Sequence, residues 1–400
     1  MLAFVLDRIE SSGTERRSPM SAENLVSEFV KETPPFMIGP PAQPDKVKNG
    51  VSRIIQLSTN ENPYGISPLS EKAMIEQASL SNRYPDVTAS KLRGKLAQLH
   101  GISASQIMVT EGATAGLGFI AEVFLQKGDE VILAPPTYPN YYNYANKQQC
   151  TLVEIPMFEE TYTPDFDRML AAITDRTKAV FLCNPNNPTG TVIDSDELHA
   201  FQRRLPGHVL LVVDEAYIDF VDIDPYTSMV DAIADGINLI VVRTFSKLYG
   251  MAGARVGYLM SNDEIINYLV RDTPGYCCNR MGLFGAQAAL DDIEFQNLTI
   301  KGNKEARRIL VDTMEDLGFK VWPSHTNFIY FDPGVDTAWF ENRMLEYGVA
   351  MGGNLVIGGA FEKCRISIGT PQDCAYAANC MRALMKNARN GKNAVRERTT

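Results

Sequence analysis

Five short apolar runs, "IMVT", "EVILA", "AVFLC", "HVLLVVD" and "NLIVVR", lie between residues 107 and 243, and none alternates apolar with polar residues. A strand with one wet face must alternate, so runs of this kind predict strands buried on both faces. Patterns of helical period, such as "ATAGLGFIAEVFLQ" and "SDELHAFQRRL", fall between most of them. Strands and helices in alternation imply an α/β fold with a mainly parallel, doubly wound sheet.

At 400 residues the chain exceeds the size at which one core stops growing, so two domains are expected. Residues 1–50 carry the Pro-rich stretch "ETPPFMIGPPAQPDK", which reads as an arm rather than a regular element. Residues 51–290 hold the sheet pattern and form the predicted large domain. From 291 to 400 the texture changes to a charged helix ("NKEARRILVDTMEDLG"), strands "FKVWP" and "TNFIYF", a helix, the strand "CRISIG" and a closing helix. That predicts a smaller α+β C-terminal domain.

A formal net charge of −10 argues against a partner that is nucleic acid or an anionic membrane. The seven cysteines form no CxxC pair and no zinc spacing, and the four histidines are scattered, so no metal site is expected. The apolar start "MLAFVL" is too short to span a membrane and has acidic residues where a secretion signal is basic. The expectation is a cytoplasmic protein with reduced thiols.

In open α/β sheets ligands bind at the carboxyl ends of the strands. After "IMVT", Gly112, Ala113 and Thr114 open a helix whose free backbone N–H groups suit an anion, although a plain tight turn reads as well. After "EVILA", Tyr138 offers a ring for stacking or simple packing. After "AVFLC", the turn "NPNNPTG" presents Asn187. The strand "HVLLVV" ends in Asp214, followed by Tyr217. A carboxylate there is costly unless it caps a helix or meets a cation. The last strand leads to Thr244, Ser246, Lys247 and Arg255, a set suited to a phosphate dianion beside a reactive amine.

In this order, "NPNNPTG", "VVDEAYIDF" and "RTFSKLYGMAGARVGY" resemble the class I/II pyridoxal-phosphate aminotransferases of fold type I. "NENPYG", "NRYPD" and "RISIGT" narrow the resemblance to the histidinol-phosphate aminotransferase branch, over about residues 33 to 388. The resemblance implies pyridoxal 5'-phosphate as cofactor, with Lys247 as its covalent anchor and proton carrier. It implies Asp214 at the ring nitrogen, Tyr217 and Asn187 at the phenolic oxygen, and Tyr138 stacked on the ring. Gly112, Ala113, Thr114, Thr244, Ser246 and Arg255 would hold the phosphate, with Tyr84 reaching it from the other subunit of a homodimer. Arg365, with Asn187, would bind the substrate α-carboxylate, and the partners would be an amino donor and a 2-oxo acid acceptor in a ping-pong transamination.

The chain departs from that branch at one point. Where branch members carry an arginine for the substrate phosphate, "GVAMGG" places Gly352, and Phe36 stands where an arm tyrosine is found. Histidinol phosphate is therefore expected to be a poor substrate. Phe36, Tyr64 and Met351 point to a less charged pocket for an aromatic or apolar amino acid, while Arg280 leaves room for an acidic or phosphorylated one. A decarboxylase or lyase on the same scaffold, histidinol-phosphate aminotransferase proper, and an inactive binding protein remain alternatives; the intact Lys247 and Asp214 weigh against the last.

Overall fold

The computed structural model describes residues 25–26, 30–31, 54–352 and 363–390. The described residues from 54 onward belong to one compact unit. Their strands, in chain order, are β1 Ile55–Leu57, β2 Ile107–Thr110, β3 Glu130–Leu133, β4 Thr151–Glu154, β5 Thr177–Cys183 and β6 Leu210–Asp214. They continue with β7 Leu239–Thr244, β8 Gly257–Met260, β9 Lys320–Val321, β10 Phe328–Asp332, β11 Val349–Met351 and β12 Cys364–Ser367.

All five runs singled out in the sequence are strands of a seven-stranded sheet ordered β2-β8-β7-β6-β5-β3-β4. The pairings β3–β4, β3–β5, β5–β6 and β6–β7 are parallel, and only β8 runs antiparallel, to β2 and β7. The reason the runs do not alternate is visible in the packing. Leu211 and Val213 of β6 and Leu239 and Val241 of β7 join one hydrophobic cluster. Their neighbours Leu210, Val212, Ile240 and Val242 join a second cluster. Successive side chains point to opposite faces, so both faces are dry, and each such side chain contributes about 1.5–3 kcal/mol of burial.

A three-stranded antiparallel sheet, β12-β10-β9, and a two-stranded parallel pair, β1–β11, complete the sheets among the described residues. Ile55 and Leu57 share a third hydrophobic cluster with Leu310, Phe331, Phe340, Ile366 and Met381. The charged C-terminal pattern is a helix, Ile293–Asp316, which starts ten residues earlier than "NKEARR" because Asp292 caps it by accepting from Phe295 N. The strand expected from "FKVWP" shrinks to Lys320–Val321. The strands β1, β4, β8 and β11 went unpredicted: β1 and β11 have only three residues each, and β4 is an edge strand without a buried residue.

Candidate active site

Register brings the predicted residues together. Cys183 pairs with Asp214, and Asp214 with Val242, so β5, β6 and β7 end side by side. The chain leaving each end carries Asn187, Tyr217 and Lys247 respectively. The "NPNNPTG" turn is fixed by Asn186 N donating to Thr191 O (2.8 Å) and Ile193 N donating to Asn184 Oδ1 (2.9 Å). That rigidity aims the buried Asn187 inward.

Asp214 is buried, with Oδ2 accepting from the Tyr141 hydroxyl (3.0 Å) and Oδ1 from Ala216 N (3.1 Å). Burial pushes its carboxyl up to about 6 against the pull of those two donors. A carboxylate so placed gains most from a cationic partner such as a protonated ring nitrogen. The next residue, Glu215, is already matched: Arg243 donates to it through Nε (3.0 Å) and Nη2 (2.8 Å).

Lys247 is half-buried overall, but its amine end is enclosed. Enclosure, followed by the guanidinium of Arg365, lowers the amine to about 8. Its Nζ donates to the carbonyl of Asn60 (3.1 Å) and lies 5.5 Å from the centre of the Tyr217 ring. Burial raises the Tyr217 phenol, which keeps its proton, and its oxygen accepts from Asn60 Nδ2 (3.2 Å).

The anion cradle is built by absence of side chains. Gly112 precedes the helix Ala113–Phe124 with φ of 84°, and no side chain caps that helix. Helices such as Ser195–Arg204 are capped by a carboxylate, here Asp194. A Cβ on Gly112 would lie 2.6 Å from Arg255 Nη2, and one on Gly257 would lie 2.4 Å from Ala113 N. Arg255 therefore covers the helix N-terminus, where N–H groups and positive charge favour a phosphate. Thr244 and Ser246 are buried close by, the threonine hydroxyl donating to Ser246 Oγ (2.9 Å). Tyr138 is oriented by Asn140 Nδ2, which donates to its hydroxyl (2.9 Å), and its ring meets Tyr141 edge-on.

On the opposite wall, Arg365 of β12 donates through Nη1 to Asn187 Oδ1 (2.6 Å) and through Nη2 to Ser58 O (2.9 Å). Gly352 follows β11, and a Cβ there would lie 2.5 Å from Ser58 O. Tyr64 turns to the helix Ile293–Asp316, where its hydroxyl fills the space that a side chain at Gly302 would need. Tyr84 is 78% exposed and stacks on Tyr276 at 4.5 Å, on the surface of this chain. Arg280 donates to Gln77 Oε1 (2.9 Å). Phe36 lies outside the described residues.

Sequence reasoning missed Tyr141 and Asn60. Tyr141 sits one helical turn after Tyr138, a spacing that places both at one end of the Asn140–Lys147 helix. Asn60 opens "NENPYG", and its left-handed backbone, φ of 56°, is invisible in sequence.

An amine of lowered pKa, a buried carboxylate needing a cation, a phenol and amides, and a side-chain-free helix N-terminus fit the aldehyde, ring nitrogen, phenolic oxygen and phosphate of pyridoxal 5'-phosphate. The sequence matches the family described as aminotransferase class I and II over residues 52–380. A histidinol-phosphate aminotransferase of Brevibacillus brevis is 35% identical over 345 residues, covering 86% of this chain and 93% of its own. Its counterpart in Geobacillus thermodenitrificans is 33% identical over 347 residues, covering 87% and 94%. Among solved structures, histidinol-phosphate aminotransferase from Sinorhizobium meliloti in complex with pyridoxal-5'-phosphate superposes with a TM-score of 0.80 at 26% identity, covering 93% of this chain and 99% of that one.

Proposed function

The chain belongs to the class I and II aminotransferases, enzymes that use pyridoxal phosphate, and from that premise we propose a ping-pong transaminase whose amino donor is not histidinol phosphate. Bound pyridoxal phosphate supplies an aldehyde for amines and an electron-withdrawing ring for the substrate carbanion. Lys247 Nζ anchors the cofactor and, once free, takes the proton from the substrate α-carbon. Asp214 holds the ring nitrogen cationic, and Tyr138 packs on the ring. Tyr217 and Asn187 hydrogen-bond the phenolic oxygen. Gly112, Ala113, Thr114, Thr244, Ser246 and Arg255 hold the phosphate, and Arg365 with Asn187 grips the substrate α-carboxylate.

The observation carrying the substrate reading is Gly352. A side chain at this position would enter the backbone of Ser58, which also accepts from Arg365. Gly352 thus supplies no cation where branch members carry a second, phosphate-binding arginine. Missing such a contact costs about 2–5 kcal/mol, or roughly 30- to 5,000-fold in kcat/KM. Met351 instead packs into the hydrophobic cluster around β10 and β12, so the aromatic or apolar reading rests on the missing charge at Gly352, with Tyr64 as a wall candidate. The names of the 35% and 33% identical relatives favour the second reading, histidinol phosphate itself.

We further propose a homodimer in which Tyr84 completes the partner's phosphate site; its 78% exposure beside the exposed Tyr276 supports this. The separate hydrophobic cluster around β10 and β12 supports a smaller domain built mainly from 291–400, corrected by the addition of β1, whose Ile55 and Leu57 join that cluster through pairing with β11. Among the described residues no helix is long and apolar enough to cross a membrane, and the acidic charge supports a cytoplasmic enzyme. Single-turnover assays with glutamate, phenylalanine, tyrosine, histidine and histidinol phosphate test the substrate reading. An amino acid should exceed histidinol phosphate at least 30-fold without carbon dioxide release. Comparable efficiency for histidinol phosphate would reject it.

A further inference from the structure

Asn60 is 2% exposed and lies in the left-handed region at φ of 56°, a conformation few non-glycine residues take and asparagine tolerates. That backbone lets one residue face two ways. Its carbonyl accepts from Lys247 Nζ (3.1 Å) and from Asn327 Nδ2 (2.9 Å). Its side chain faces Ser367 and Tyr217. The Ser367 hydroxyl accepts from Asn60 N (2.8 Å), and its own proton goes to Asn60 Oδ1 (2.9 Å). With Oδ1 taken as acceptor, the amide NH2 is left to donate to the Tyr217 oxygen (3.2 Å).

We propose that Asn60 is a positioning residue that sets the direction of the Tyr217 proton and holds the free ε-amine of Lys247. A phenol carries one proton and two lone pairs. With one lone pair occupied by Asn60, the Tyr217 proton turns away from Asn60 and into the site, toward the phenolic oxygen of the cofactor. The inference rests on the cofactor roles of Lys247 and Tyr217 proposed above. It adds that the Asn60 amide, by donating to Tyr217, orients that donation.

The test reads the pH midpoint of the absorbance of the covalently bound cofactor. A donor to the phenolic oxygen lowers that midpoint, so losing the donor raises it. Asn60→Gly keeps the left-handed backbone and the carbonyl but deletes the amide. Its midpoint should rise by about one pH unit, the effect of one hydrogen bond to a charged group, and should not rise in a Tyr217→Phe background. Asn60→Asp keeps the shape but accepts from Tyr217, and its shift should fall by at least half when Tyr217 is Phe. An unmoved midpoint, or equal shifts in both backgrounds, overturns the proposal. Borohydride reduction and peptide mapping separate the two layers. Label missing from Lys247 in the unsubstituted enzyme overturns the cofactor reading, whereas label on Lys247 with an unmoved midpoint overturns the role of Asn60 alone.

Discussion

The two walls of the site are made differently. The wall holding Asn187, Asp214, Tyr217 and Lys247 is one edge of a single sheet, where three neighbouring parallel strands end in register. The facing wall gathers Ser58, Gly352 and Arg365 from short strands separated by about 300 residues of chain. The first wall carries charges whose positions follow from buried strands, and it serves any substrate that the cofactor can process. The second is made of close backbone contacts, and on the reading proposed above it holds both the carboxylate-binding Arg365 and, at Gly352, the position that bears on the substrate side chain. On that reading, chemistry belongs to a continuous rigid element and selectivity to joints between distant segments.

Removing the anchor from the first wall has the largest expected effect. Lys247→Ala should abolish covalent cofactor attachment and lower turnover by about 10,000-fold or more, read by steady-state rates and borohydride labelling. Turnover within tenfold of the parent would break the assignment of that wall to the chemistry.

Gly352→Arg probes the second wall at smaller cost. Its Cβ would meet Ser58 O at 2.5 Å, so overpacking should destabilise the fold by about 1–3 kcal/mol, read as a lower denaturant midpoint, without creating use of histidinol phosphate. A variant of parental stability that turns over histidinol phosphate would show that the wall yields more readily than its packing implies.

The smallest effect is one of pH. The neutral amine is the reactive form, and Lys247 sits at about 8 rather than 10.5, through burial and then Arg365. Cofactor capture by the cofactor-free protein should rise about tenfold per pH unit below 8 and level off above it. A rate still climbing steeply at pH 10 would mean an unperturbed lysine. The same shift affects stability. Between about 8 and 10.5 the unfolded chain binds more protons at this residue than the folded one, so its contribution to stability rises with pH across that window.

The difference between the walls also explains what the sequence disclosed. Strands β5, β6 and β7 were legible because burial on both faces removes alternation, and each run gives way to a polar residue: Asn184 just after β5, Asp214 at the end of β6 and Thr244 at the end of β7. β8 was not, because "GYLM" follows a three-residue turn, Ala252–Ala254, rather than a pattern of helical period. Gly352 was legible as a missing charge, but its contact with Ser58 depends on β1 meeting β11. Asn60 and Tyr141 were hidden for separate reasons. A left-handed asparagine has no pattern, and a tyrosine one turn beyond another reads as ordinary packing until the carboxylate it serves is located.

The pairing of Ile55–Leu57 with Val349–Met351, and of Asn60 with Ser367, has a consequence for biosynthesis. The large sheet is complete once residue 260 has left the ribosome, with its lysine already at the strand end. The carbonyl that holds that lysine gains its own supports, Asn327 and Ser367, only when most of the remaining chain has emerged. At the pace of translation this leaves an interval of about 5–20 s in which the nascent chain carries all seven strands of the sheet but lacks the residues that complete the pocket. Within that interval every residue proposed to hold the cofactor has been made, whereas Arg365 and the supports of the Asn60 carbonyl have not.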